Sequence, residues 1–398
     1  MIYLDNAATT KIRPEVLGVM MPYLTEVYGN AGSIHKAGRD ALKAIEKARQ
    51  QVADFIGAKP EQIIFTSGGS EANNLAVLGI KDYLESINKK HIIVSNVEHE
   101  SMLKAINAIS KPLGDNKKMC IKGEFYAQFL KVNGDGFVNP DDLRDMLRAD
   151  TGLVSVMRVN NETGVLNPIK EIAKLCKENN TLFLSDCVQA AGCCEINVEE
   201  LGCDFLTISS HKIYGPKGVG ALYIRDKNLL SSLIHGGTSQ EFGLRGGTEN
   251  VAGIVGFGEA CKLIKKEPDV YSKTPQFCKS HFYKQLNKHL QDKGLNSAVK
   301  INGNSESNSG RILNLLIDGV DGETLVLALD SNGVCISAGS ACTSHESKPS
   351  HVLTAMGLTD EQARSSIRVS FSEFITVKEI DDAAMIMANC ISALKAGV

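Results

Sequence analysis

Between Leu206 and Ile224 the chain reads Leu-Thr-Ile-Ser-Ser-His-Lys-Ile-Tyr-Gly-Pro-Lys-Gly-Val-Gly-Ala-Leu-Tyr-Ile. An apolar run ends in two serines, His211 and Lys212, and a Gly/Pro-punctuated loop leads into a second apolar run, so the pattern predicts strand, loop, strand. A lysine at the end of a buried strand is partly desolvated. Its pKa then falls, and its amine can form a Schiff base with a carbonyl cofactor. The alternative is an ordinary surface lysine at a strand end.

Other residue types fit the first reading. A Schiff-base lysine implies pyridoxal phosphate, an electron sink that works best with its ring nitrogen protonated, which asks for a facing carboxylate. Asp186, after the apolar run Thr181 to Leu184, is the candidate; a helix cap is its alternative. His99 could stack on the ring and shuttle protons, or be a structural histidine. Asn161 and Gln189 could reach the phenolic oxygen, or merely cap turns. Ser67-Gly68-Gly69-Ser70 lies between a predicted strand and a predicted helix, so the backbone of Gly69 and Ser70, with the Ser70, Ser209 and Thr248 hydroxyls, could hold a phosphate. The turn matches neither G-x-G-x-x-G nor G-x-x-x-x-G-K-[ST], which argues against dinucleotide and nucleoside triphosphate binding. Cys342 sits in a loop of small residues, Ser337 to His345, where an exposed thiol near His345 gains thiolate character. Arg368, inside an apolar strand, needs a partner: a substrate carboxylate held bidentately, or a structural salt bridge.

The elements that would position these groups alternate along the chain. Predicted strands at Ile63 to Thr66, His91 to Ser95, Leu153 to Val159, Thr181 to Leu184 and Phe205 to Ser209 are separated by helices, among them Ala37 to Ile56, one from the Ser70 turn through about Tyr83, and Ile169 to Asn179. Short, continuously apolar strands separated by helices imply an α/β fold with a mostly parallel sheet between helices. Ser70, His99, Asn161, Asp186, Gln189, His211 and Lys212 all fall at strand carboxyl ends, where ligands of such sheets gather. Residues 112 to 138 are irregular, and their Lys-rich part is expected to be an exposed insertion. The chain changes character near Pro268 to Pro275. Residues 15–257 are therefore assigned to a large cofactor-binding domain, and 1–14 with 258–398 to a smaller α+β domain carrying the Cys342 loop.

Composition agrees. The 398 residues carry a net charge of −3, with 43% hydrophobic and 22% charged residues, and no basic stripe suggests nucleic acid or anionic membrane as a partner. The N-terminus shows no charged segment leading an apolar one, and no apolar run is long enough to cross a bilayer, so a cytoplasmic location is expected. Eleven cysteines make no metal-like C-x-x-C pairs, and no metal site is expected; in a reducing compartment most should be small buried hydrophobes.

Tyr-Leu-Asp-Asn-Ala-Ala-Thr-Thr, Phe-Thr-Ser-Gly-Gly-Ser-Glu-Ala-Asn-Asn, Ser-Ser-His-Lys-Ile-Tyr-Gly-Pro-Lys-Gly, Arg-Gly-Gly-Thr-Glu-Asn and Gly-Ser-Ala-Cys-Thr-Ser together resemble a cysteine desulfurase of the NifS/IscS type, in the class V aminotransferase group with the fold type I pyridoxal-phosphate architecture. The resemblance covers about residues 2 to 395. It implies a Schiff base on Lys212, ring-nitrogen contact at Asp186, stacking by His99, polar contacts from Asn161 and Gln189, and phosphate contacts from Ser70, Ser209, His211 and Thr248. Thr248 would reach across from a second subunit, implying a homodimer. Asn30 and Arg368 would hold the carboxylate of L-cysteine, and Cys342 would accept sulfur as a persulfide while L-alanine leaves. The Cys342 context resembles the group with a long cysteine loop rather than the SufS-like group. Two features depart from the family: a long, irregular segment at 115–132, and an end soon after the last helix, without the extension through which some members dock an iron–sulfur scaffold. A scaffold or a tRNA-thiolation relay would be the sulfur acceptor. A selenocysteine lyase or another class V aminotransferase would share everything up to Cys342, and a non-catalytic sulfur carrier would lack a need for Lys212, Asp186 and His99.

Overall fold

A computed structural model describes residues 1–112, 124–304, 306–339 and 348–397. Cys342 and His345 lie outside the described residues, as does the Lys-rich part of the expected insertion.

The main sheet has eight strands in the spatial order Ile63–Thr66, Gly220–Ile224, Phe205–Ser209, Leu182–Asp186, Thr151–Ser155, His91–Ser95, Phe125–Leu130, Ser110–Pro112. Gly220–Ile224 runs antiparallel to both of its neighbours, while the remaining pairings are parallel. The expected mostly parallel sheet is therefore present, with one reversed strand. Its central strands are buried at every position, as in Phe205–Ser209 and His91–Ser95, because helices cover both faces.

One face packs against Lys36–Ile56, whose buried Ala41, Ile45, Ala48 and Val52 recur at helical spacing. That helix stops at Gly57, whose φ of 69° suits glycine. Ile169–Glu178 and Val251–Lys266 complete this layer. The other face holds Leu75, Ala76, Met102 and Ile106 from Gly69–Gly79 and Glu100–Ile109. Each fully buried Val, Leu or Ile contributes about 1.5–3 kcal/mol, so these two layers are what hold the strand ends in place.

A separate core forms around a three-stranded antiparallel sheet, Val299–Asn302, Ile312–Ile317 and Ser366–Ser370. Val377–Ala396 and Pro268–Asp292 pack together beside it. Leu4 joins this core from the N-terminus, where Ile2–Tyr3 pairs in parallel with Val334–Cys335. The change of character near Pro268 is the start of a 25-residue helix with Pro268 in its first turn and Pro275 inside it. Tyr271 of this helix belongs to the first core, and Cys278, Phe282, Leu286 and Leu290 to the second.

Two expected elements differ. The helix through Tyr83 is two, Gly69–Gly79 and Lys81–Ser86. The strand expected over 153–159 is Thr151–Ser155. Its neighbour His91–Ser95 ends at Ser95, and beyond that point Met157 N donates to the Glu98 carboxylate at 2.7 Å instead of to a strand.

Candidate active site

Five strands deliver polar side chains to one end of the sheet, around a cavity of about 180 Å³. Gly69, Ser70, His99, Asn161, Asp186, Gln189, Ser209, His211, Lys212 and Arg368 all line it. The sequence placed each of the first nine at or just beyond a strand end, and it is the parallel direction of those strands that makes the ends meet.

Lys212 closes a single 3₁₀ turn, Ser210–Lys212, directly after Phe205–Ser209. Its Nζ donates to the carbonyls of Ala7 at 2.5 Å and Ala8 at 2.8 Å. The turn is set from both sides. Ser210 N donates to Val219 O at 3.2 Å, and a Cβ on Gly215 would collide with Ser210 Oγ. Arg311, fully buried, donates through Nη1 to Lys212 O at 3.3 Å. His211 Nδ1 lies 3.1 Å from Thr9 Oγ1, and burial, then Lys212 and Lys217, push its imidazole down to about 4. The ring is therefore neutral at ordinary pH.

Asp186 ends its strand as a buried carboxylate. Oδ2 accepts from Asn73 Nδ2 at 2.9 Å and Oδ1 from Val188 N at 2.9 Å. His99 caps the helix Glu100–Ile109, its Nδ1 accepting from Ser101 N at 3.1 Å. Gln189 Nε2 donates to Ala7 O at 2.9 Å.

Gly69 and Ser70 begin the helix Gly69–Gly79 and present its positive end to the cavity. Close approach of backbone is built in here: a Cβ on Gly220 would sit 2.8 Å from the backbone of Gly68, so Gly220 lets the turn press against the reversed strand.

The residues fit pyridoxal phosphate. Asn161 Oδ1 and Ser209 Oγ are buried without a hydrogen-bond partner, and both line the cavity beside an amine and a carboxylate. Buried polar atoms of this kind cost about 1–3 kcal/mol each unless a ligand satisfies them.

Two predicted residues are elsewhere. Asn30 is exposed, its Oδ1 accepting from Gly32 N at 2.8 Å. Thr248 is exposed and lines a separate hollow with Ser67, Arg245 and Glu249. Among the described residues no group of three or more His, Cys, Asp or Glu could hold a metal. Sequence reasoning missed Ala7, Ala8, Asn73, Ser101 and Met157, all of which line the cavity. Asn73 had a signal: it lies three residues after Ser70, on the same helix face.

The aminotransferase class-V family model matches residues 2–382. Cysteine desulfurase IscS of Dictyoglomus turgidum is 43% identical over 394 residues, covering 99% of this chain and 95% of that one. A solved NifS-like protein superposes with a TM-score of 0.85 at 32% identity over all of both chains. A structure described as SspA in complex with cysteine gives 0.76 at 31% identity, over 94% of this chain and all of the other. With the lysine, the carboxylate and the histidine gathered at the strand ends of that shared fold, the chain belongs to the aminotransferase class-V family and, within it, to the cysteine desulfurases.

Proposed function

We propose that the chain is a pyridoxal-phosphate-dependent cysteine desulfurase that moves the sulfur of L-cysteine onto Cys342 as a persulfide and releases L-alanine. The observation that carries this reading is the convergence of the Lys212 amine, the Asp186 carboxylate and the His99 ring on one cavity. When bound, the cofactor supplies an electron sink beside the substrate α-carbon, which weakens the bonds around it.

The chain's own residues do the rest. Lys212 anchors the cofactor through Nζ and later takes the α-proton there, with the Ala7 and Ala8 carbonyls orienting the amine. Asp186, held by Asn73 and the Val188 N–H, would meet the cofactor's ring nitrogen. His99 would pack against the cofactor ring, and it holds a proton at Nε2 because Nδ1 is occupied as an acceptor. The amides of Asn161 and Gln189 would serve the cofactor's phenolic oxygen, and Gly69, Ser70, Ser209 and His211 would hold its phosphate. Arg368, which lines the cavity, would bind the substrate carboxylate, while Asn30 lies outside the cavity of the single chain. The Cys342 thiolate attacks the substrate sulfur: the S–S bond forms, the C–S bond breaks, and its electron pair stays on carbon, which takes a proton to become the methyl group of alanine.

Thr248 completes the phosphate site of a second copy in a homodimer. This is supported by its outward position on a segment tied down by Arg245–Glu71 at 2.9 Å and Arg49–Glu241 at 2.8 Å. The two-domain division at 257/258 is supported by the two separate cores, although Ala260 to Tyr271 pack with the first. A cytoplasmic location fits nine described cysteines that are all free, and an iron–sulfur scaffold is the acceptor we favour.

The test separates two residues. Cys342→Ser should keep the yellow cofactor and lose sulfide production from cysteine, whereas Lys212→Ala should lose turnover altogether. Full desulfurase activity in Cys342→Ser disproves the assignment.

A further inference from the structure

Asn73 is 1% exposed and sits in the middle of the helix Gly69–Gly79. Its amide nitrogen makes two hydrogen bonds, to Asp186 Oδ2 at 2.9 Å and to Ser101 Oγ at 3.0 Å. Ser101 Oγ lies 2.8 Å from His99 Nδ1. The direction of every proton follows. An ionised carboxylate only accepts, so the Asn73 NH₂ must face Asp186, and its second hydrogen then points at Ser101. A hydroxyl that accepts from Asn73 has its own proton left for His99 Nδ1. The alternative amide orientation would set Asn73 Oδ1 against the Asp186 carboxylate; in the observed one that oxygen is buried without a partner.

We propose that Asn73 and Ser101 are positioning residues that join the Asp186 carboxylate to the His99 ring through one directed chain of hydrogen bonds, so that the two groups meeting the cofactor ring are held in register with each other. Neither side chain is assigned contact with substrate. Asn73 acts on Asp186 and, through Ser101, on His99. The backbone N–H of Ser101 also donates to Nδ1, so the hydroxyl adds orientation to a tautomer that the backbone already favours. The serial arrangement makes a specific demand: once Asn73 is gone, the Ser101 hydroxyl no longer has a fixed direction, and removing it as well should matter little.

This inference rests on the desulfurase reading, and wild-type protein carries the control: normal cofactor binding and sulfide release there keep that reading whatever the variants do. Asn73→Ala, Ser101→Ala, their combination and Ser101→Thr are compared by pyridoxal phosphate titration of the apoprotein, the visible spectrum of the loaded protein, and kcat and KM for cysteine. Alanine suits both helical positions, so folding is kept. Asn73→Ala should weaken cofactor affinity and lower kcat by about 10- to 100-fold with KM within about threefold, the scale of one hydrogen bond to a charged group. Ser101→Ala should move the same quantities by about three- to tenfold. The double variant should match Asn73→Ala, and Ser101→Thr, which restores the hydroxyl, should rescue. Additive losses in the double variant, failure of threonine to rescue, or unchanged affinity and spectrum in Asn73→Ala would each overturn the proposal.

Discussion

Arg368 Nη2 lies 3.0 Å from Asp5 Oδ1, and through Nη1 the same guanidinium donates to the carbonyl of Asn161 at 2.9 Å. Arg368 is 2% exposed, and its Nε has no partner. The salt bridge and the cavity face belong to one side chain: the ion pair fixes the planar fork while the group lines the site. A lysine carries one compact charge and cannot serve Asp5, the Asn161 carbonyl and a substrate carboxylate together. Arg368→Lys should raise the KM for cysteine by about 10- to 100-fold while cofactor affinity stays near wild type. Asp5→Asn should give a smaller rise. Steady-state kinetics beside a cofactor titration checks both, and an unchanged KM in Arg368→Lys would remove Arg368 from substrate binding.

Glu98 is fully buried next to His99. Its Oε1 accepts from Ser95 Oγ at 2.6 Å and from Met157 N at 2.7 Å, and Oε2 has no partner. Burial pushes its carboxyl up to about 8, with Asp186 adding to the shift and the two hydrogen bonds and His99 opposing it. The unfolded chain loses this proton near the ordinary value of 4.5, whereas the folded chain keeps it to about 8. Between those values the native state binds more protons, so this group makes stability fall as pH rises, by at most about 1.4 kcal/mol per pH unit. Glutamine copies the protonated form. Glu98→Gln should flatten that decline, so that urea unfolding at pH 6 and pH 8 gives closer midpoints than in wild type. Equal pH slopes in the two proteins would place the proton elsewhere.

Much of this was legible in the sequence because each strand is a short apolar run that stops at a polar residue. Asp186, His99, Asn161 and Lys212 declared themselves by position, and parallel strand direction did the rest. The Asn73–Ser101 bond was not legible, because it links residues 28 apart through a side chain and a helix cap. The excess length read at 156–159 has a similar origin. Apolarity continues past Ser155, but Glu98 replaces the strand that has ended beside it, and no local pattern announces a buried carboxylate acting as a strand partner. Asn30 was assigned by likeness alone and Thr248 by its hydroxyl in a glycine-rich segment, and both lie outside the cavity of the single chain.

Arg49 and Glu241 form a bidentate pair with both contacts at 2.8 Å, each side chain 4% exposed. Glu241 Oε2 also accepts from Phe65 N at 2.7 Å. Glu241 and Phe242 take φ values of 43° and 58°, uncommon for residues other than glycine, so the pair holds a strained turn against the strand that leads into Ser67–Ser70. Glu241→Ala leaves the buried guanidinium with only half-exposed Glu46, 3.1 Å from its Nε, as a charged partner and should cost about 3 kcal/mol. Replacing both, as Arg49→Met with Glu241→Leu, should recover most of that loss. Urea melts of the three variants decide it, and a double change as damaging as the single one would show that the turn itself requires the carboxylate.

Thiol reactivity offers the sharpest check on the sulfur acceptor. The nine described cysteines are free, and of these only Cys194 and Cys335 are partly exposed. Burial raises the thiols of Cys187, to about 12, and of Cys203, Cys261, Cys278, Cys335 and Cys390. Cys193 is held down by the Cys194 thiol, 3.8 Å away, but is itself buried. The thiolate is the reacting form, so these nine should label slowly in the native protein. No more than two thiols, Cys342 and Cys120, should react fast with a chromogenic disulfide at neutral pH, and Cys342→Ser should lower the fast count by one. Mass spectrometry after incubation with L-cysteine should find added sulfur on the Cys342 peptide of wild type. A fast count that Cys342→Ser leaves unchanged, or added sulfur on a Cys187 or Cys193 peptide alone, would move the nucleophile away from Cys342.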